Sequence, residues 1–200
     1  KAFHEELDRV AEMLVEMTHL ASSAMNRATT ALLDADIHLA DSVIAADAEI
    51  DALRADLDLL SFDLLARQQP VATDLRVIVT SMRMGSDLER MGDLARHVAK
   101  VARLRYPASA VPAELRSTIL QMGHVAERIV EKAGSVIAAR DLEAAQQIER
   151  DDDAMDDLHR EAMLQPGSIV IPTALAACEL VGGDAETLLC GIVRGYEAGI

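Results

Sequence analysis

Four acidic side chains stand where two helical stripes would otherwise be apolar. They are Glu89 with Asp93 and Asp47 with Asp51. Each pair is spaced i, i+4, so its two carboxylates project from neighbouring turns of one helix face. Leu75, Ile78, Val79, Met82 and Gly85 set the first stripe; Glu89 and Asp93 continue it, with His97 one turn further on. Ile37, Ala40, Ile44, Ala48, Ala55 and Phe62 set the second, and Asp47 and Asp51 fall on it. An unpaired carboxylate moved out of water costs several kcal/mol or takes up a proton. A cation removes that cost, and hard divalent or trivalent metals accept oxygen ligands from facing bundle helices. The same spacing also occurs on solvated faces, and Arg83, Arg90, Arg96 and Lys100 lie close enough in the chain to pair with these acids. Periodicity leaves both readings open. His97 alone reads as an exposed or satisfied histidine, and Met13, Met17, Met25, Met82 and Met91 read as core filling. No catalytic residue is expected, because the chain has no Gly-rich phosphate loop, no G-x-S-x-G and no Cys near a His.

The elements that must position these acids are long helices. From Ala2 to about Leu33, apolar residues recur at helical spacing from Phe3 and Leu7 to Ala28 and Ala31. Asp34-Ala35-Asp36 supplies a break and an N-cap. A second helix is expected from about Ile37 to Ala66, ending before Pro70, and a third from about Val71 to Arg105, stopped by Tyr106-Pro107. Three such helices with short connections make an antiparallel up-down-up bundle over residues 1–106.

The pattern then restarts, with a fourth helix opened by Pro112-Ala113-Glu114 and running to about Ala139, and a fifth from Asp141 to about Leu164. Sliding the chain against itself by 105 residues pairs Met17 with Met122, His19 with His124, Asp36 with Asp141, Asp47 with Asp152 and Asp51 with Asp156. That gapless register reads as an internal duplication. It adds Asp152 and Asp156 to the candidate metal ligands. The fold class expected is all-α, two tandem three-helix bundles, with the second incomplete over 112–165. After Gln165 the glycines and both cysteines, Cys178 and Cys190, concentrate in an apolar tail over 166–200 that reads as two short helices. Five helices would leave a groove formed by Ile119, Met122, Ala126 and Ile129 facing Leu142, Ala145 and Ile148, which the tail is expected to cover in part.

The bulk numbers agree. Half of the 200 residues are hydrophobic but only 2% are aromatic, which favours aliphatic helices over strands. A net charge of −15 opposes nucleic acid and anionic membrane surfaces as partners. No stretch suits a membrane span or a signal peptide, so a cytoplasmic protein is expected.

Three segments carry a family resemblance: Phe3-His4-Glu5-Glu6-Leu7, Gln68-Gln69-Pro70-Val71-Ala72-Thr73-Asp74-Leu75-Arg76, and Asp87-Leu88-Glu89-Arg90-Met91-Gly92-Asp93. They resemble the PhoU family of phosphate-transport regulators over about residues 2–164. The resemblance implies two similar three-helix bundles, each with an E/D-x-x-x-D motif holding iron, manganese, zinc or magnesium. Glu89 and Asp93 match the first motif. It also implies a homodimeric adaptor that turns over no substrate. That adaptor would link the ATPase subunit of a phosphate ABC transporter to a sensor histidine kinase and repress the phosphate-starvation response. The second motif's place, near 194–198, holds Arg194-Gly195-Tyr196-Glu197-Ala198 instead. Pro166 to Ala176, with Gly195-Tyr196-Glu197, resembles a short stretch of the MmgE/PrpD (2-methylcitrate dehydratase) family, which suggests a fusion or frameshift near Gln165. The alternatives are a truncated dehydratase fusion and a di-iron carboxylate enzyme. The latter wants Glu-x-x-His pairs, and Glu16-Met17-Thr18-His19 is the candidate.

Overall fold

The structure is a computed structural model and describes residues 2–139 together with positions 141, 144, 145, 148, 155 and 158. The tail at 166–200, most of the expected fifth helix, and Asp152 and Asp156 lie outside the described residues. Among the described residues, four long helices carry the fold: α1 (Ala2–Asp34), α2 (Ile37–Gln68), α3 (Ala72–Arg105) and α4 (Arg116–Ala139), the last preceded by a 3-10 turn at Ala113–Leu115. The first three ends fall within two residues of the positions that caps and prolines dictate. Positions 144, 145, 148, 155 and 158 are helical as well, inside the span expected of the fifth helix.

The tight α1–α2 connection follows from two local devices. Ala35 takes a left-handed conformation, φ 52°, and the Asp36 N–H donates to the Ala31 carbonyl at 3.1 Å, which closes α1 in a Schellman-type turn. Asp36 then caps α2 by accepting from the Leu39 N–H at 3.0 Å. The same bond recurs 105 residues later, where Asp141 accepts from the Ala144 N–H at 3.1 Å. The backbone bond Ala40 N–H to Asp36 O, 3.0 Å, likewise returns as Ala145 N–H to Asp141 O, 3.1 Å. Asp36→Ala is expected to lower stability by about 1 kcal/mol, read as a shifted urea midpoint at unchanged slope.

Helices α1, α2 and α3 contact one another, and α4 packs along α1. α1 therefore serves both sides and needs a wide buried face. Val10, Leu14, Met17, Ala21, Met25, Ala28 and Leu32 are buried, and so are Thr18, Ser22 and Thr29. The buried threonine hydroxyls return to their own helix, Thr18 to the Val15 carbonyl at 2.6 Å and Thr29 to the Met25 carbonyl at 2.9 Å. On α4, Ile119, Met122, Ala126 and Ile129 are buried, and the tail expected to cover them in part lies outside the described residues.

Small residues set the helix spacing. A Cβ built on Gly92 of α3 would meet Ile50 Cδ1 of α2 at 2.7 Å, and one on Gly85 would meet Leu57 Cδ2 at 2.8 Å. Across α1 and α4, Gly123 opposes Thr29 and Gly134 opposes Thr18. Thr18 and Gly123 are 105 positions apart, and so are Thr29 and Gly134. The α1–α4 crossing is thus symmetric under the internal duplication.

The apolar stripes differ from those expected. On α2 the buried line is Ala40, Val43, Asp47, Ile50, Leu57, Ser61 and Leu64, while Ala48, Ala55 and Phe62 are exposed. Steps of four residues precess about 40° each around a helix. Counting Ala40, Ile44 and Ala48 by fours therefore drifts off the buried seam, which alternates steps of three and four. On α3 the seam is Ile78, Ser81, Gly85, Leu88, Gly92, Ala95, Ala99 and Ala102, and Leu75 and Val79 are exposed.

Candidate functional site

The correction to α2 sharpens one acid and demotes another. Asp47 lies on the buried seam and is 5% exposed, whereas Asp51, one turn on, is exposed. Glu89 and Asp93 stand beside the α3 seam and are half-buried. The helix pair brings all four within reach of one another's charge. Glu89 is pushed above the usual carboxylate range by burial first, then by the charges of Asp93, Asp51 and Asp47, with Arg54 opposing. Asp47 is also raised, by burial first and then by Asp51 and Asp93, although Arg96 pulls it down. Asp87, outside the cluster, is raised by burial alone, against Arg90. His97 is exposed.

A cation is already present among these carboxylates, and it is a side chain. Arg96 Nη1 lies 2.6 Å from Asp47 Oδ2, and Arg96 Nη2 donates to Asp93 one turn back on its own helix. The planar fork of a guanidinium suits two acceptors at once. Arg54 pairs with Asp58 along α2. Arg96 was visible in the sequence as one of several basic partners; its bridge between two helices was not. The signal for it was the placement of Asp47 on the seam, which the drifting count concealed.

The fit of a metal can be read from the same geometry. Among the described residues, no three His, Cys, Asp or Glu side chains converge as a group able to hold an ion. Asp47 and Asp93 face the guanidinium. In this arrangement the four acids do not close around a metal.

Sequence reasoning missed an open polar groove of about 240 Å³ on α1 and α4, lined by His19, Ser22, Asn26, Arg27, Glu127 and Glu131. Asn26 donates to Glu127 across it at 2.8 Å. Glu16 and His19, which the di-iron alternative would need, are both exposed on α1.

Known proteins settle the family. The PhoU domain profile matches residues 14–102 and 119–165, two segments that start 105 residues apart. The chain belongs to the PhoU family. The second PhoU segment stops at residue 165, where the composition of the chain changes. The chain is 49% identical over 159 residues to the "Phosphate-specific transport system accessory protein PhoU homolog 2" of Mycobacterium tuberculosis, covering 80% of this chain and 75% of that one. It is 31% identical to a PhoU homolog of Rhizobium meliloti, with 94% of this chain and 84% of the relative covered. The crystal structure of PhoU from Pseudomonas aeruginosa superposes with a TM-score of 0.73 at 27% identity, covering 98% of this chain and 99% of that one. Among the described residues, no helix is long and apolar enough to cross a membrane.

Proposed function

We propose that this PhoU-family chain is a cytoplasmic accessory regulator that restrains phosphate uptake and the phosphate-starvation response. It acts as an adaptor between the ATPase subunit of a phosphate ABC transporter and a sensor histidine kinase, works as a homodimer, and turns over no substrate. The carrying observation is the paired PhoU match together with 49% identity to a named phosphate-transport accessory protein. The net charge of −15 suits contact with basic surfaces of protein partners. Complementation tests it. In a bacterium lacking its own PhoU, the full chain should restore repression of a phosphate-starvation reporter under phosphate sufficiency. A reporter that stays fully on while the protein accumulates folded would sink the reading.

We also propose that iron, manganese, zinc or magnesium binds at Glu89, Asp93, Asp47 and Asp51 once Arg96 swings away, with Asp152 and Asp156 as their counterparts in the second repeat. What supports this is the proximity of Asp93, Asp51 and Asp47 to Glu89, which burial first and then their three charges raise above the usual carboxylate range. Protein purified without a tag should carry metal, and Glu89→Ala with Asp93→Ala should lose most of it. Equal metal content in both proteins would refute the site.

A further inference from the structure

α2 carries a second apolar seam, on the face opposite the buried one. Ala45, Ala48, Ala52, Ala55, Leu59, Phe62 and Ala66 follow one another in alternating steps of three and four, and every one is exposed. Leu59 is 68% exposed and Phe62 57%. Such spacing is the a/d pattern of a coiled-coil seam, maintained here over about three heptads. Core packing does not account for it, because α1 and α3 take the Ala40–Leu64 face. The alanines leave a shallow floor that permits close approach of another backbone, with Leu59 and Phe62 as anchors at one end.

The flanks of the seam say what can lie on it. The positions that border an a/d seam are Glu49, Asp56 and Asp63 on one side, and Ile44, Asp51, Asp58 and Leu65 on the other. Asp63 is paired with Arg67 and Asp58 with Arg54. Glu49, Asp51 and Asp56 have no hydrogen bond or ion pair among the described residues. Every charged residue on these flanks is acidic. A second copy laid on the seam would set acid against acid in either orientation, which flanking charges of a coiled coil disfavour. The 166–200 segment is a poor match too, since it holds four acids and Arg194 as its one base. An anionic membrane would be repelled.

We infer that the outer face of α2 is a docking surface for a basic amphipathic helix of a protein partner, with an apolar a/d stripe bordered by Lys or Arg. About 21 residues of partner helix would match its length. This deepens the adaptor reading by giving the partner's contact face, and rests on that reading for the existence of a partner. It does not depend on a metal at Asp47.

The test uses the full chain carrying Ala55→Cys with Cys178→Ser and Cys190→Ser, and two synthetic 24-residue helical peptides. Both peptides have Leu and Ala at a and d; one has Lys at e and g, the other Glu. The Lys peptide should bind at least tenfold tighter and slow modification of Cys at position 55 by a thiol reagent at least fivefold. Leu59→Ser with Phe62→Ser should weaken that binding at least tenfold with unchanged circular dichroism. Glu49→Gln with Asp56→Asn should flatten its salt dependence, whereas Glu12→Gln with Glu16→Gln on α1 should leave it as it was. Equal binding of both peptides, or indifference to the Leu59 and Phe62 changes, would overturn the inference. So would a position 55 already protected without peptide, whether by the chain's own tail or, if protection grows with concentration, by a second copy. The complementation experiment reports separately, because a chain that fails to repress can still bind the Lys peptide here.

Discussion

Arg96→Met should destabilise the protein by about 3 kcal/mol at neutral pH, because it strands the Asp47 carboxylate inside the α2–α3 contact. Asp47 is 5% exposed and Arg96 28%, so the pair is buried chiefly on the acid's side. Met preserves much of the stem's packing, so the loss reads the charge. The pH dependence has a definite sign. The folded-state pKa of Asp47 is already raised above 3.8 by burial, and without Arg96 it must rise further. A carboxyl with a raised folded pKa binds more protons folded than unfolded. Its contribution to stability is therefore favourable at low pH and is lost as pH climbs from the unfolded value through the raised one. The deficit of Arg96→Met relative to wild type should thus be large at pH 7 and shrink towards pH 4. Denaturant unfolding at four or five pH values measures it.

Two companion variants separate this from a packing effect. Asp47→Asn in the Arg96→Met background removes the stranded charge and should recover most of the loss. Asp47→Asn alone should cost less than Arg96→Met, since it leaves a neutral amide beside a half-exposed guanidinium. The proposed metal makes a further distinction, because a cation that binds only the folded state stabilises it by mass action. Millimolar manganese or magnesium should raise the melting temperature of Arg96→Met more than that of wild type. A deficit independent of pH would mean that Asp47 is neutral already and that the ion pair contributes nothing.

Helix boundaries were readable because they rest on local chemistry. Asp36 caps α2 as its side chain predicts, and Pro70 and Pro107 lie just beyond two helix ends. The duplication was readable because one offset of 105 fits residue after residue, and it reappears in the paired caps and in the Thr–Gly crossing. The buried face of α2 was not readable. Ala40–Leu64, apolar but for Asp47 and Ser61, and Ala45–Ala66 both recur at heptad spacing and point in opposite directions, so sequence offers two cores and tertiary contact selects one. That choice decides the acids. Taken on the drifting stripe, Asp47 and Asp51 look equivalent; on the true seam, one is buried against Arg96 and the other faces out. Gly85 and Gly92 gave no sequence signal either, since a helical glycine shows its purpose only when Leu57 and Ile50 are seen against it.

The α1–α4 crossing offers the second large effect. A Cβ on Gly134 would overlap Thr18 Oγ1, and one on Gly123 would sit 2.6 Å from Thr29 Oγ1 and Cγ2. Neither threonine can turn aside cheaply, because each hydroxyl is bonded to a carbonyl of its own helix. Overpacking of this kind costs about 1–3 kcal/mol per site. Replacing a helical glycine by alanine returns about 1 kcal/mol of propensity. Gly134→Ala and Gly123→Ala are each expected to lose about 1 kcal/mol net, and the pair together about 2–4 kcal/mol, because two clashes along one crossing force the helices apart. The rescue pattern carries the symmetry. Thr18→Ala should relieve Gly134→Ala and leave Gly123→Ala unrelieved, and Thr29→Ala should do the reverse, with coupling energies of similar size in the two cycles. Equal rescue by either threonine change, or stabilisation by Gly134→Ala alone, would show that α1 and α4 do not meet at these residues and that the two-fold relation between the repeats fails at their contact.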